Sequence, residues 1–433
     1  MVNEIPLMEV DRPSNEFVED VVNLSIPNLT KVSFAEKIKN PTYLSFLCIG
    51  MGLLWPWNCI LSASEYFKHD LFHDDTSWAN IFTSSMMSVS TVTSLFFNIW
   101  LSSRQVAYSQ RVVRGLTWEI VVFCLIILAS LFHSLFPAAI DFVWLMCLIS
   151  ISAIGTALTQ NGIFAVANVY GAKYTQAVIL GQAIAGVLPS LVLFLITLFS
   201  KSTNQGSKGI ILYFLTTVIV SVSSIILYRM NKIDKILQDV PDNDFVIEIN
   251  IEGSHVSFAR LYAKLKYLAL SIFTTFAVTM VFAVFASTVE VRGLPLSNTQ
   301  FIPLIFLVWN IGDLCGRFLA ELPLFSSNDF SPFKTYIYSL LRIGLVPMFF
   351  PFLLPPNQMT MTVDLLYILL QFIFGLTNGH VVSMSFMKVP NCLDTDKERK
   401  AAGGFNNVFL STGLAAGSLL SYAFVFIIKR ITG

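Results

Sequence analysis

Apolar runs of about 20 residues recur along the chain, separated by short polar segments, and that is the length an α-helix needs to cross the hydrocarbon core of a bilayer. Windows of this length predict eleven membrane helices. The first six begin near Tyr43, Ala79, Leu116, Phe142, Thr175 and Gly209. Five more begin near Tyr267, Phe301, Lys334, Val363 and Ala402. The segment between the two sets, residues 229–266, mixes charges of both signs, as in Asp239-Val240-Pro241-Asp242, and holds no long apolar run. The pattern predicts an all-α polytopic membrane protein: a polar tail (1–42), a six-helix half (43–228), a linker (229–266) and a five-helix half (267–433). The linker reads as a connection between two transporter halves, or as a disordered regulatory segment.

Charge adds the orientation. With the N-terminus in the cytosol, the cytosolic segments hold 19 Lys and Arg residues and the opposite side holds 6, with Arg317 and Arg342 inside helices. The positive-inside rule therefore predicts a cytosolic N-terminus and a C-terminus outside or in a lumen. Composition agrees, at 55% hydrophobic and only 12% charged residues, far from a soluble domain. Basic and acidic residues balance at 27 each, so no nucleic-acid partner is indicated, and the partner is the lipid bilayer. The six cysteines show neither metal spacing nor a disulfide framework.

Polar residues inside the apolar runs are the candidates for function. Helix 8 carries Asp313 and Arg317 four residues apart, which stacks them on one helix face. Each charge costs about 2.5–3.5 kcal/mol at the centre of a membrane helix, so the pair serves either as internal glue or as a site for a polar ligand. Carboxylate and guanidinium together suit vicinal hydroxyls, the acid accepting and the fork donating. In helix 1, Pro56 frees a carbonyl that Asn58 can satisfy, and Trp57 either packs or offers a flat face for a planar ring. Gln160 in helix 4 either reads the polar edge of a heterocycle or bonds a neighbouring helix. Gly181 to Gly186 and Gly413 to Gly417 are packing motifs of small residues. His380 is a packed imidazole or a pH-sensitive group near the pathway. No nucleophile elbow, phosphate loop or metal spacing is present, so no enzyme and no cofactor is expected.

These motifs resemble the equilibrative nucleoside transporters. The likeness rests on Gly52 with Pro56-Trp57-Asn58, Gly181-Gln182, Thr288-Val289-Glu290-Val291, Asn310 with Asp313, Gly316 and Arg317, Arg342 with Pro347, Asn378-Gly379, and Gly413-Leu414 with Gly417. It implies a major-facilitator-like fold, a monomer, and alternating access around a central site for nucleosides or nucleobases. By position, Asp313 and Arg317 would bind ribose hydroxyls and Gln160 the nucleobase. Trp57, Leu54, Leu61 and Phe306 would line the pocket, with Asn58, Asn310 and His380 in support. An organic-cation carrier of the same fold is the alternative, and Arg317 beside the acid argues against it. Phe285 stands where many members have proline, and His380 where tyrosine is common. Trp55 before Pro56 resembles fungal members, which favours a vacuolar or lysosome-like membrane over the plasma membrane.

Overall fold

A computed structural model describes residues 34–72, 77–132, 137–199, 207–233, 255–326, 330–353 and 361–432. Most of the tail and most of the 229–266 segment lie outside these residues. The long helices are α1 (Pro41–Ser62), α2 (Ser77–Ser103), α3 (Tyr108–Phe132), α4 (Ala138–Tyr170), α5 (Ala172–Phe199), α6 (Ser207–Met230), α7 (Phe258–Thr288), α8 (Asn298–Leu319), α9 (Pro332–Leu341), α10 (Met361–Met387) and α11 (Asp396–Thr432). Ten of the described helices are long and apolar enough to cross a membrane, α9 together with its extension among them. The helix outside that set is α2, equally long but rich in serine and threonine.

Local chemistry sets the boundaries. Asn40 starts α1 by accepting from the Thr42 and Tyr43 amides at 3.0 and 3.2 Å, and Pro41 occupies a first-turn position that needs no donor. Ser257 and Ser331 cap α7 and α9 in the same way. Gly171, at φ +104°, turns the chain between α4 and α5, a backbone angle that favours glycine. Beyond Leu341 the chain continues as a 3₁₀ helix, Arg342–Leu353, because Pro347 and Pro351 remove the donors an α-helix would need. All eleven helices begin before the predicted start, and the longest extensions are those of α3, from Tyr108, and α7, from Phe258. Their added turns carry Arg111, Arg114, Arg260 and Lys264, which bond to protein groups and so lie beyond the apolar signal.

Helices α1 to α6 pack on one another, chiefly α1 on α5, α3 on α4, α2 on α4, and α6 on α1 and α3. Helices α7 to α11 do likewise, led by α8 on α10 and α7 on α11. The two groups meet along α5 against α8 and along α2 and α4 against α11. Gly413 and Gly417 lie against the Phe273 and Ala277 carbonyls of α7, and Gly181 against the Leu47 carbonyl of α1, the close approach that their small size permits.

Candidate functional site

The seam between α8 and α10 is built on four glycines. Gly312 and Gly316 lie against the Phe372 and Leu376 carbonyls, while Gly375 and Gly379 lie against those of Trp309 and Asp313. A Cβ at any of these positions would overlap the facing backbone. Small residues four apart on both helices therefore bring the backbones into contact and fix where the Asp313 side chain stands.

Asp313 and Arg317 are 3% and 6% exposed and bonded to each other, Arg317 Nε donating to Asp313 Oδ2 at 2.8 Å. Asn378 of α10 donates to Asp313 Oδ1 at 2.6 Å, and its own Oδ1 accepts from Thr279 of α7 at 2.6 Å. Arg317 Nη1 donates to the Ile179 carbonyl of α5, and Gln176 of α5 donates to the Arg317 carbonyl at 2.7 Å. The pair thus lies where the two helix groups meet, with each charge answered by its partner. A second buried cation, Arg342, stands near the seam. It donates to Thr377 Oγ1 at 3.2 Å and to the Thr275 carbonyl at 3.4 Å, and its guanidinium sits 5.2 Å from the Phe374 ring centre.

Two of the amides singled out in the sequence clamp α5 from opposite sides. Asn58 of α1 donates to the Ala185 carbonyl at 2.8 Å. Asn310 of α8 donates to Ser190 Oγ at 3.0 Å and to the Phe306 carbonyl at 2.8 Å, and its Oδ1 occupies the space left by Gly186. Trp57 and Leu61 are half-buried against an apolar cluster that includes Cys59, Phe82 and Phe214, and Leu54 is half-buried on the same face of α1. Gln160 is half-buried on α4. Phe306 stands edge-on to Phe282 at 5.1 Å, beside the Phe282–Trp309 stack at 4.5 Å. Among the described residues no hydrogen bond joins Trp57 or Gln160 to the pair. His380 turns away from Asp313, its Nδ1 lying 3.4 Å from the Tyr338 hydroxyl and its ring edge-on to Phe325 at 4.3 Å.

The two ends of the bundle differ. Near the linker, Lys37 pairs with Glu321 at 2.7 Å, Phe164 of α4 stacks on Phe386 of α10 at 4.7 Å, and Asn168 donates to the Arg399 carbonyl at 3.1 Å. These contacts join the two helix groups. Toward the other end, a crevice of about 570 Å³ separates α2 from α7 and α11, lined by Thr83, Ser88, Thr91, Met280, Ser418 and Tyr422 among others.

Besides Asp141, Asp364 and Glu398, which sit in the first turns of their helices, one further buried acid that the sequence pattern does not single out lies in mid-helix. Glu119 of α3 is 1% exposed, and its two oxygens accept from Ser152 and Thr156 of α4, each at 2.8 Å. Its signal is the one that identified Asp313, an acid inside an apolar run. A helix start near Leu116 sets it close to the helix end, whereas a start at Tyr108 moves it to the middle.

Among the described residues, ten apolar helices in two packed groups, joined around a buried ion pair, make a multi-pass membrane protein of major-facilitator-like fold. Two solved structures share that fold. The Major Facilitator Superfamily transporter FucP aligns with a TM-score of 0.52 at 14% identity, over 90% of this chain and 99% of that one. A bacterial homologue of the iron transporter ferroportin aligns at 0.53 and 12%, over 90% and 95%. The model of the nucleoside transporter family matches residues 145–251 and 248–426. The chain is 48% identical to the nucleoside transporter FUN26 of Saccharomyces cerevisiae, over 96% of this chain and 90% of that protein. It is 24% identical to the human equilibrative nucleoside transporter 1, over 88% and 96%. The chain belongs to the nucleoside transporter family.

Proposed function

We propose that this protein carries nucleosides, and nucleobases with them, across a membrane by alternating access, as a monomer and without a cofactor. The observation that carries the proposal is the buried Asp313–Arg317 pair at the meeting of α5, α8 and α10. A ribose diol can replace their mutual bond, one hydroxyl donating to Asp313 while Arg317 donates to the hydroxyl oxygens, and the site stays electrically neutral throughout. An organic cation would meet an acid already neutralised by Arg317. In this scheme Trp57, Leu54, Leu61 and Phe306 supply walls, and Gln160 meets the base. Asn58 and Asn310 hold α5 between the groups, and His380 braces the α9–α10 end.

All eleven helices cross the bilayer in this proposal, α2 included, with six before the linker and five after it. The N-terminus and linker are cytosolic and the C-terminus is extracytosolic, so the contacts of Lys37–Glu321 and Phe164–Phe386 close the cytosolic side. The Trp55 resemblance to fungal members supports a vacuolar or lysosome-like membrane, which imaging of a tagged chain checks. The functional test is uptake of labelled uridine, adenosine and adenine into proteoliposomes, with and without a proton gradient. Saturable uptake of the nucleosides is expected. Uptake of a monoamine with none of the three would overturn the proposal, and dependence on the gradient would add proton coupling to it.

A further inference from the structure

Away from the α8–α10 seam, α2, α4 and α11 carry a set of amides that neither the family motifs nor the site above uses. Asn406 and Asn407, adjacent on α11, are 1% and 0% exposed, and both the oxygen and the nitrogen of each side chain lack a hydrogen-bond partner. Asn161 of α4 is 0% exposed; its oxygen accepts from Arg111 Nη1, while its nitrogen is unpartnered. Asn98 of α2, 1% exposed, donates to Ser94 Oγ at 3.3 Å and leaves its oxygen unpartnered.

Helical spacing sets these groups within about one turn of one another. Gly404 of α11 is the meeting point: a Cβ there would stand 2.7 Å from Asn161 Nδ2 and 3.2 Å from the Ser102 Cα of α2. Asn407 lies three residues beyond Gly404 and Asn98 four residues before Ser102. In antiparallel helices these steps run in the same direction along the bundle, so Asn407 and Asn98 face one another a turn above Gly404. Asn406 lies three residues beyond Gly403, which abuts Phe164 and Ala165 of α4, and so turns toward the α4 side. The crevice of about 570 Å³ reaches Val92 on α2 and Ala415 on α11, and about two turns further along the same two helices lead to Asn98 and Asn407.

Unpartnered amides inside a membrane protein are unfavourable, since each forfeits the bonds it would make in water. Four amides from three helices, presenting both donors and acceptors, match a flat ligand whose edge alternates donors and acceptors. That is the edge of a nucleobase, which asparagine can bond through two atoms at once. We propose that Asn407, with Asn98, Asn161 and Asn406, forms a second subsite that holds the nucleobase and sets base preference. The proposal rests on the nucleoside reading of Asp313 and Arg317 and adds to it a base-reading group outside the family motifs.

The test uses the full chain in proteoliposomes and compares labelled adenosine and uridine uptake in wild type, Asn407→Leu and Asn407→Ser. Loss of one buried amide contact raises KM roughly tenfold and, because the two bases present different edges, changes the adenosine-to-uridine ratio by about threefold or more. A packing role alone would lower uptake of both substrates equally and leave the ratio as it was. Should Asn407→Leu fail to fold, the smaller Ser variant, which keeps a hydroxyl but no planar edge, must still change the ratio. Wild-type uptake with an unchanged ratio in the folded variants overturns the subsite alone. Absence of nucleoside uptake by the wild type overturns the transport proposal and the subsite together.

Discussion

Two glycine-built seams in this bundle each bury an acid, and they hold it in different ways. Between α8 and α10, Asp313 meets a guanidinium and an amide, and Arg317 reaches across to the backbone of α5. Between α3 and α4, where Gly115 and Gly155 let the helices touch, Glu119 accepts from two hydroxyls and meets no cation among the described residues. Hydroxyls are neutral and rotate to suit either protonation state of the acid, so the second arrangement completes itself and leaves nothing for a ligand. A guanidinium has five donors in a fixed fork, and the named bonds of Arg317 use two of its nitrogens. The first arrangement lies at the junction of the two helix groups, the second wholly inside one. Burial of a charge in a membrane protein is therefore not enough to mark a site; under the proposed mechanism, spare bonding capacity at the boundary between the helix groups is what would separate transport from fold.

The largest effect that tests this difference is expected from Asp313→Asn. The change keeps the volume and lets Asn378 go on donating to an oxygen, but it removes the charge that holds Arg317 and that, in the proposed site, accepts from the diol. A hydrogen bond to a charged group contributes about 1.5–3 kcal/mol, so kcat/KM for uridine should fall roughly 100-fold; Arg317 loses its counter-charge, so the melting temperature falls as well, while folded protein is still recovered. Equal loss of transport and of folded protein would make the pair structural and erase the distinction. Gly379→Ala attacks the same seam through its backbone. Its Cβ would overlap the Asp313 carbonyl, so the helices must part, and overpacking of this kind costs about 1–3 kcal/mol. A lowered melting temperature together with reduced uptake is expected. Unchanged stability would mean the seam is looser than the contacts indicate.

How much of this was legible in the sequence follows from the same physics. Ion pairs inside apolar runs stand out because hydrocarbon gives them no other reason to be there, and Asp313 with Arg317 was found on that ground alone. Glu119 obeys the same rule and was missed because α3 begins eight residues before the apolar window, with turns whose arginines bond protein groups. Asn58 and Gln160 looked alike as residue types. Only the fold shows that Asn58 bonds the Ala185 carbonyl while, among the described residues, Gln160 makes no bond to another helix, because the register of α1 on α5 is a tertiary fact. His380, read beside Asn378-Gly379, points instead at Tyr338 and Phe325, since two residues along a helix turn a side chain through about 200°. The adjacent amides of α11 carried no periodic signal, and their isolation from partners exists only once three helices are packed.

Arg317→Lys sharpens the comparison at intermediate size. Lysine keeps the positive charge opposite Asp313 but replaces the planar fork with a single ammonium, so it cannot reach the acid, the Ile179 carbonyl and a diol together. Uptake should fall roughly tenfold, chiefly through KM, with folding preserved. A lysine variant with wild-type kinetics would show that charge alone suffices at the site.

The smallest effect is expected in the other seam. Glu119→Gln keeps the shape of the side chain and one acceptor oxygen, and its amide can donate to a hydroxyl that turns round to accept. Both neighbours, Ser152 and Thr156, are free to make that rotation because each carries its own hydrogen on a single bond. Transport should therefore stay within about twofold of wild type, and the melting temperature should not fall, since replacing a buried ionisable group by a neutral isostere is often neutral or stabilising. A loss as large as that of Asp313→Asn would contradict the distinction drawn between the two seams. It would give α3 a part in substrate movement that its position inside one helix group does not suggest.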